Sequence, residues 1–519
     1  MSLGTHLLLH SVLLSLLCSC SGYKLLVLFP IPSKSHALLG EGYVKHLANA
    51  GHEITYITPL PMKNPPSGVR QIDISENKKY MPVEVIFDTR SLINQEVDLQ
   101  DATIIMEIIA FFANATIHTH EFQKFLRDPN DQFDAVIIEW LYTELFSGLA
   151  AVFNCPLIWS SSMETHSMVL SLIDEYPNPA YTFHHLSRNY GFNFWRRVHE
   201  LWTLFIIRLS KWRAQNYEHQ LYEDMYGNLV KMRGRTLPDY EDVRYNGSLL
   251  LTNSYVSTGE AISLPQNLKY IGGYHFEKEQ QALPKDLQKI MDDAKHGVIY
   301  FSMGSILRSE RIPEHIKRDI LNVFSTLNQT VIWKLEEVLP DLPKNVYILP
   351  WAPQTGILAH PNCLLFITHG GHLSEIEALH FGVPMIGMPL YGDQFLNINR
   401  AQHKGFGKRV DFHHDVARNL QLAIREMLEN SSYRQRAKEY SFIHHHRPVP
   451  PEKELVHWVE HVIETRGAVH LRNPALRVSW YQRYYVDLVS LIILLSVIVI
   501  RTYKQGLVMY RRHLKEKLL

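Results

Sequence analysis

The chain has 519 residues, with 52 basic residues (Lys and Arg) and 52 acidic residues, and hence no net charge when histidine is neutral. This balance excludes a protein whose main partner is nucleic acid, because such proteins carry a basic surface. Apolar residues make up 46% of the chain, which excludes wholesale disorder, and the four cysteines are too few for a disulfide scaffold. The length predicts more than one domain with an apolar core.

Residues 1–22 have the pattern of a cleavable signal peptide. A leucine-rich run that begins at Leu7 is followed by small residues that end at Gly22. We therefore expect the mature chain to follow the secretory route and to lose two of its four cysteines. The other two, Cys155 and Cys363, lie far apart in the sequence, and we expect no structural disulfide.

Residues 24–58 predict a parallel βαβ unit. The apolar run 24–29 is typical of a buried strand, a Pro-rich loop follows at 30–36, and apolar residues at helical spacing from Leu38 to Ala48 predict a helix. The next strand is predicted at 54–58. Two further buried strands are predicted in this half, at 133–139 and 156–160.

The segment from Phe192 to Trp212 is aromatic and apolar, with basic residues interspersed. This pattern predicts an amphipathic helix. Two positions for the helix agree with it equally well: one on a membrane surface, the other packed over a ligand-binding site.

The strand pattern restarts at residue 298. Strands are predicted at 298–302, 331–333, 346–349, 364–368 and 383–387, with helices at about 313–327 and from His369-Gly-Gly371 to about Phe381. Two such series predict two doubly wound domains that face a cleft, with a ligand at the carboxyl ends of both sheets. The bounds are set at 23–275 and 276–475, with the seam near Gly272–His275.

The C-terminal region predicts one membrane span, at 484–502. Its fully apolar part runs only from Leu488 to Ile500, which is short for a span, but aromatic residues precede it and basic residues follow it. With a signal peptide ahead, this arrangement predicts a lumenal body and a cytosolic tail at 503–519.

Two weaker signals agree with the secretory route. Lys515 and Lys517, near the C-terminus, resemble the dilysine retrieval signal of endoplasmic-reticulum membrane proteins. Sequons for N-glycosylation occur at Asn114, Asn246, Asn328 and Asn430. Together they predict a single-pass glycoprotein of the endoplasmic reticulum membrane.

The stretch from Trp351 to Gln394 carries most of the chemical information. A predicted strand ends in His369-Gly370-Gly371, and a helix follows. Free backbone N–H groups at the positive end of a helix suit a phosphate or diphosphate. The two glycines let such an anion approach the backbone, and His369 can add a donor.

Polar and aromatic residues around this turn suit the other parts of a nucleotide-sugar. The Ser374 hydroxyl is within reach of the same anion, and Glu377, one turn into the helix, can accept hydrogen bonds from a ribose diol. Trp351 offers a flat face for a nucleobase. Asp393 and Gln394 suit the hydroxyls of a sugar.

This stretch resembles the signature of UDP-glycosyltransferases of the GT-B fold, and the segments 298–305 and 467–472 are also similar to that family. The signal peptide and the C-terminal span look like those of its animal, membrane-bound branch. The resemblance implies an α/β protein of GT-B fold, with two Rossmann-like domains facing a cleft and one C-terminal transmembrane helix. The N-terminal domain would bind the acceptor and the C-terminal domain the UDP-sugar.

The resemblance also implies roles for individual residues. Trp351 would stack on uracil, Gln354 would contact the uridine, and Glu377 would hold the ribose. Asp393 and Gln394 would bind the transferred sugar. The residues implied for the diphosphate are Ser305, His369, Gly370, Gly371 and Ser374.

The catalytic base implied by the resemblance is His36, which lies in the loop after the first predicted strand. An imidazole suits this role because its pKa lies near neutrality. The family pairs this histidine with an aspartate, and the matching position here is Glu139, since Asp134 begins the strand. Glutamate adds a methylene group, so Glu144 remains the alternative partner.

The activity implied is inverting transfer of a sugar from a UDP-sugar to a hydroxyl of a small lipophilic acceptor, as in detoxifying conjugation. The UDP-sugar is a co-substrate, and no cofactor is expected. The implied mechanism needs no metal, which agrees with the lack of an Asp-x-Asp sequence in the chain. No basic residue stands out as a partner for a carboxylate on the sugar, which favours UDP-glucose over UDP-glucuronate. A catalytically silent nucleotide-sugar-binding protein is the alternative from another class, and a homo-oligomer is left open.

Overall fold

A computed structural model describes residues 22–82, 86, 88–94, 96, 99, 101–174, 177–188, 190–191, 193–276, 282–306, 309–412 and 415–518. The predicted signal peptide, apart from Gly22, lies outside these residues. The chain divides into two compact units, of which the first ends at Leu471 and the second begins at Arg472. Among the described cysteines, Cys155 and Cys363 are free thiols.

The first unit contains two parallel sheets. In the described residues, one sheet has seven strands in the order β3-β2-β1-β4-β5-β6-β7, and the other has six in the order β10-β9-β8-β11-β12-β13. The strands of the first sheet are β1 Lys24–Leu28, β2 Glu53–Thr58, β3 Val69–Asp73, β4 Ala135–Trp140, β5 Leu157–Ser161, β6 Leu249–Thr252 and β7 Leu268–Tyr270. Those of the second are β8 Val298–Ser302, β9 Thr330–Lys334, β10 Val346–Leu349, β11 Cys363–Thr368, β12 Met385–Gly387 and β13 Gly407–Arg409.

The strand order reverses once in each sheet, between β1 and β4 in the first and between β8 and β11 in the second. In open parallel sheets a ligand binds outside the carboxyl ends of the strands at this reversal, because the loops on its two sides diverge and leave a crevice. The four segments that follow these strands are therefore the ones expected to form a site.

The central strands are buried on both faces, which explains why they read as short apolar runs. The edge strands β3 and β13 are only partly buried and carry polar residues, and neither was predicted. In the first sheet Leu26 and Ile138 pack into one core, while Val27 and Ile137 pack into the core on the opposite face. The predicted doubly wound α/β architecture is confirmed.

The helices of the first unit surround these sheets. Those around the first sheet and its loops are α1 Lys34–Asn49, α2 Thr89–Ile93, α3 Ala102–Ile117, α4 His120–Leu126, α5 Gly148–Phe153, α6 Ser167–Leu170, α7 Phe194–Met232 and α8 Tyr240–Arg244. The later ones are α9 Lys285–Asp292, α10 Glu314–Ser325, α11 Gln354–Ala359, α12 His372–His380, α13 Gln394–Lys404, α14 Val416–Glu429, α15 Ser432–His445 and α16 Pro451–Glu464. Short 3-10 helices lie at Ser75–Lys79, Leu145–Ser147, Ser309–Arg311 and Val469–Leu471.

Two segments pack on the sheet of the other half, which the division at residue 275 does not anticipate. Helix α16 comes from the C-terminal half, but its Leu455 and Val459 are buried in the core of the first sheet. In the other direction, Leu92 of α2 belongs to the core of the second sheet. Next to it, the Arg311 guanidinium donates to Asp88 at 2.7 Å, which fastens α2 to the C-terminal half.

The second unit contains a short 3-10 helix, Pro474–Arg477, and the helices α17 Trp480–Arg483 and α18 Val486–Leu518. In the described residues, α18 is the one unbroken helix long and apolar enough to cross a membrane. The predicted span 484–502 lies almost entirely within α18, and the helix continues through the described part of the predicted tail. Helices α3 and α4 also pass the same test if taken together, but they are bent by 66° and α3 packs into the core.

Candidate active site

A cavity of about 790 Å³ lies between the carboxyl ends of the two sheets. Nearly all the residues predicted for the site line it: His36, Ser305, Trp351, Gln354, His369, Gly371, Ser374, Glu377, Asp393 and Gln394. Glu139 and Gly370 lie behind this lining, Glu139 bonded to His36 and Gly370 within the His369 turn. Residues from both halves of the first unit therefore face a shared space, as the doubly wound topology requires.

His36 and Glu139 form a close pair at the strand reversal of the first sheet. His36 Nδ1 lies 2.5 Å from Glu139 Oε1, and the Glu139 side chain is fully buried at the end of β4. The bond to Nδ1 fixes the ring orientation and directs Nε2 away from the carboxylate. His36 lies in the first turn of α1 and not in the loop, because the Pro-rich segment ends at the N-cap residue Ser33.

The two other carboxylates considered as partners are occupied elsewhere. Asp134 accepts a hydrogen bond from the Lys24 backbone N–H at 2.8 Å, at the opposite, amino end of β1. Glu144 accepts from the Trp140 indole and pairs with Lys211, both at 3.1 Å. Glu139 is therefore the carboxylate that contacts His36.

The environment of His36 raises its pKa above the ordinary value. Burial alone would lower this pKa, but the charge of Glu139 and the hydrogen bond to it outweigh burial. The charge of Asp393, on the other side of the cavity, acts in the same direction. The imidazole can thus accept a proton and remain stabilised as imidazolium.

The His369 turn lies at the strand reversal of the second sheet. Gly370 has φ of +82°, and Gly371 is the N-cap of α12 with no side chain to satisfy the first helical N–H groups. Such N–H groups have no intrahelical acceptor and lie at the positive end of the helix. The turn has the features of an anion site.

Burial, with a smaller effect of Lys334, lowers the pKa of His369 to about 4. The ring is therefore neutral near pH 7 and can donate one N–H to an anion. Lys334 lies close by, where its ammonium donates to the Gly304 carbonyl at 2.9 Å and pairs with Glu336. Lys334 was not predicted, although its place at the end of β9 could have indicated it.

A methyl group on Gly371 would lie 2.4 Å from His369 Nε2. The imidazole is confined on its other side by Gly304, whose added Cβ would lie 2.5 Å from it, so Gly371→Ala would displace the ring from the turn. We expect the variant to bind UDP about tenfold more weakly or worse, a loss of roughly 1.4 kcal/mol. Calorimetric titration with UDP measures this, with Gly227→Ala as control, since a Cβ there meets no atom within 4 Å. Equal affinity in both variants would contradict this role of the turn.

Gln354, Ser374 and Glu377 form one hydrogen-bonded group. Gln354 Nε2 donates to Ser374 Oγ at 3.1 Å and to Glu377 Oε2 at 2.5 Å, while the Tyr300 hydroxyl donates to Gln354 Oε1 at 3.2 Å. Burial raises the pKa of Glu377 to about 7, against the effect of the Gln354 bond. A buried carboxyl group with such a pKa can bind a diol without a permanent charge.

Trp351 is 56% exposed, which leaves its ring available for stacking. The Lys34 ammonium, from the first turn of α1, lies 3.8 Å from the centre of this ring. This cation–π contact joins the two halves across the cavity. Sequence reasoning missed Lys34, although it stands only two positions before His36.

Asp393 and Gln394 begin α13. Burial raises the pKa of Asp393, although Asn397 Nδ2 opposes this by donating to Oδ2 at 2.9 Å. Gln394 Oε1 already accepts from the backbone N–H groups of Leu390 and Tyr391. Its amide nitrogen is therefore the group better suited to a sugar hydroxyl.

The first half of the chain also holds α12 in place. His372, the first residue of α12, lies with Nε2 at 2.7 Å from the Asn253 carbonyl oxygen, just after β6. Its Nδ1 is 3.2 Å from Glu375. The position of the anion turn thus depends on a contact between the two halves.

The part of the cavity beside His36 is mainly apolar. Its lining comes from the segments after β1, β3, β4 and β5 and from α3, and includes Ile31, Met81, Ile105, Ile109, Leu141 and Met163. An apolar pocket with a histidine at one end suits a lipophilic molecule that carries a hydroxyl group.

Comparison with known proteins identifies one family whose model covers almost the whole chain. Residues 24–518 match the family model "UDP-glucoronosyl and UDP-glucosyl transferase". The chain is 32% identical to UDP-glucosyltransferase 2 of Dactylopius coccus over 94% of this chain and 92% of that protein. It is 28% identical to mouse UDP-glucuronosyltransferase 2A3, over 89% and 88% of the two chains.

The fold resembles solved glycosyltransferases. The spinosyn forosaminyltransferase SpnP superposes with a TM-score of 0.54 at 16% identity, over 86% of this chain and all of that one. A kitacinnamycin glycosyltransferase superposes with a TM-score of 0.52 at the same identity. At this identity the likeness shows the fold alone, and the fold is GT-B, as the sequence predicts.

Proposed function

Because the chain belongs to the UDP-glucuronosyl and UDP-glucosyl transferase family and is a UDP-glycosyltransferase, we propose that it transfers the sugar, with inversion, to a hydroxyl of a small lipophilic acceptor. The observation that carries this proposal is the shared cavity, with the His36–Glu139 pair on one side and the His369 turn on the other.

In the proposed reaction, His36 Nε2 takes the proton of the acceptor hydroxyl. Glu139 holds the ring through Nδ1 and stabilises the imidazolium that forms. The acceptor oxygen forms a bond to the anomeric carbon as the bond from that carbon to the diphosphate breaks. Attack opposite the leaving group inverts the anomeric configuration.

The electron pair of the broken bond goes to the leaving UDP. Its developing charge would meet the first N–H groups of α12 and the neutral His369 ring. Trp351 would stack on uracil, Gln354 would contact the uridine, and Glu377 would hold the ribose. Ser305 and Ser374 would contact the diphosphate, and Asp393 and Gln394 the sugar.

The direct test is product analysis with purified full-length protein. UDP release is measured with UDP-glucose or UDP-glucuronate against a panel of phenols and steroids, and the product's anomeric configuration is read by NMR. The proposal expects acceptor-dependent UDP release and a β-linked product from an α-linked donor. A retained configuration would refute the mechanism. UDP binding without release for any acceptor would favour the silent binding protein.

For the donor we propose UDP-glucose. Three described lysines line the cavity. Lys34 and Lys334 lie at Trp351 and at the Gly304 carbonyl, the ends proposed for the base and the diphosphate, and Lys63 is exposed in the loop after β2. The sugar end holds Asp393, whose carboxyl group would face a glucuronate carboxylate unfavourably. We expect a kcat/KM for UDP-glucose at least about tenfold above that for UDP-glucuronate, which corresponds to roughly 1.4 kcal/mol.

The substitution Asp393→Asn tests whether the Asp393 carboxyl group causes the proposed preference for UDP-glucose over UDP-glucuronate. Without the carboxylate, the ratio of the two kcat/KM values should move toward UDP-glucuronate. A preference for UDP-glucuronate in the unmodified protein would contradict the donor assignment.

For location we propose the endoplasmic reticulum membrane, with the catalytic unit lumenal. The apolar helix α18 and the basic residues in its last turn support this.

Three sequon asparagines, Asn246, Asn328 and Asn430, are exposed, whereas the Asn114 side-chain oxygen is buried within α3. Glycan mapping should therefore find no glycan at Asn114.

A further inference from the structure

The first half of helix α7 exposes an unusual number of large apolar side chains. Trp195 is 77% exposed, Trp202 60% and Phe205 52%. We call the exposed apolar set on this half of the helix the α7 stripe; its members are Phe194, Trp195, Val198, Leu201, Trp202, Phe205 and Trp212. Apolar side chains this exposed to water carry a free-energy cost, which contact with a partner surface removes.

The stripe keeps to one side of the helix. At 3.6 residues per turn, its seven members fall within a sector of roughly 120° of the helix circumference. The sequence pattern of this segment agrees equally well with a helix on a membrane surface and with a helix packed over a ligand-binding site. Because no residue of α7 lines the cavity among the described residues, the second position is not the one found.

The charge of α7 changes halfway along the helix. Residues 194–213 contain five basic residues and one acidic residue, Glu200. Two of the five are paired with buried carboxylates, Arg196 with Glu200 at 2.6 Å and Lys211 with Glu144 at 3.1 Å. Residues 214–232 contain three acidic residues and one basic residue. Arg197 and Arg213, which are exposed, flank the stripe on opposite sides. The apolar half of the helix is therefore the basic half.

We propose that the α7 stripe docks on a lipid bilayer that contains anionic lipids. Tryptophan and phenylalanine between arginines match the boundary between acyl chains and negatively charged headgroups. The chain also carries α18, which is apolar enough to cross a membrane, so a bilayer is available to it. A second copy of the chain is a poorer occupant, since a two-fold contact through the stripe would set its cations against the same cations.

Helix α3 connects this surface to the proposed acceptor site. It packs against α7 and exposes two further apolar side chains, Ile104 and Phe111. On its inner side, Ile105 and Ile109 line the cavity. An acceptor dissolved in the bilayer would thus arrive beside the wall of its pocket, a consequence that rests on the proposed function.

The bilayer contact is tested without any sugar donor, on full-length protein in nanodiscs of phosphatidylcholine and phosphatidylserine in equal parts. Trp202→Cys is labelled with an environment-sensitive fluorophore, and Tyr217→Cys, 60% exposed on the polar half of α7, is the matched control. The proposal expects blue-shifted emission and quenching by brominated lipids at position 202 and neither at 217, with a weaker effect in pure phosphatidylcholine.

Equal signals at the two positions would overturn the proposal. A blue shift at 202 that brominated lipids do not quench, and that needs two copies per disc, would also overturn it and identify a second copy as the occupant.

The proposed arrival of the acceptor from the bilayer is tested separately, by measuring KM values. The triple variant Trp195→Ser, Trp202→Ser and Phe205→Ser should raise the KM for a membrane-partitioned acceptor several-fold, without changing the KM for a water-soluble acceptor or for the UDP-sugar. Tyr217→Ser is its control. Unchanged KM values would remove this consequence, whereas absence of transfer in the unmodified protein would refute the proposed function and leave the lipid contact standing.

Discussion

Replacing His36 by alanine should nearly abolish glycoside formation, with kcat/KM falling by about 10²–10⁴-fold, the range that a general base contributes. The reason is that Nε2 of His36 is the proton acceptor aimed at the cavity, while Nδ1 is bonded to Glu139. UDP affinity should not change, because His36 lies in the half of the chain that faces the acceptor. Initial rates and calorimetry on the same preparation separate the two effects.

The matched control is His46→Gln, on the same helix α1. His46 Nε2 lies 2.6 Å from the Tyr274 carbonyl oxygen, away from the first turn, and a glutamine amide can keep that bond. Activity lost equally in both variants would point to damage to α1 and not to loss of a base. Full activity in His36→Ala would refute the mechanism.

The second large effect is expected for Glu139→Gln. His36 must be neutral to act as a base, so kcat/KM should fall as the pH drops through its pKa. Glu139 raises this pKa and burial lowers it, so removing the carboxylate charge should move the acid limb of the pH profile to lower pH. The rate at the optimum should also fall, by about a hundredfold or more, because the imidazolium loses its counter-charge.

Glu139→Asp is the control that keeps the carboxylate charge but shortens the side chain. It keeps the carboxylate but withdraws it by a methylene group from a 2.5 Å contact, so its rate and its acid limb should lie between those of the unmodified protein and Glu139→Gln. An acid limb that stays in place in Glu139→Gln would show that His36 is not the titrating group.

The central strands could be predicted because each is a short apolar run closed by a turn residue, and because β-α alternation allows little besides a parallel sheet. The His369 turn could be placed for the same reason, since it directly follows β11. Strands β3, β6, β7 and β13 were not predicted, and the sequences of β3 and β13 are too polar to stand out as buried runs. What else could not be predicted depends on pairs far apart in the chain. Leu92 in the second core, Leu455 in the first and Lys34 over Trp351 are contacts that no local pattern contains.

Individual roles were harder to predict than positions. The sequence left Glu139 and Glu144 open as partners of His36, and only the contacts of Glu144 with Trp140 and Lys211 separate them. Gln394 was expected to bind sugar hydroxyls, and the structure narrows this to its amide nitrogen, because its oxygen accepts hydrogen bonds from the backbone of the preceding turn. Such assignments depend on which side-chain atoms lie within hydrogen-bond distance of each other, and the sequence alone does not contain this information.

The proposed mechanism requires that a diphosphate held by the His369 turn face His36 across one cavity. An experimental structure of the full-length protein with UDP and an acceptor bound tests it most directly. We expect the diphosphate against the first turn of α12 and the acceptor hydroxyl within hydrogen-bond reach of His36 Nε2, about 3 Å. UDP bound elsewhere, or an acceptor whose hydroxyl points away from His36, would contradict it.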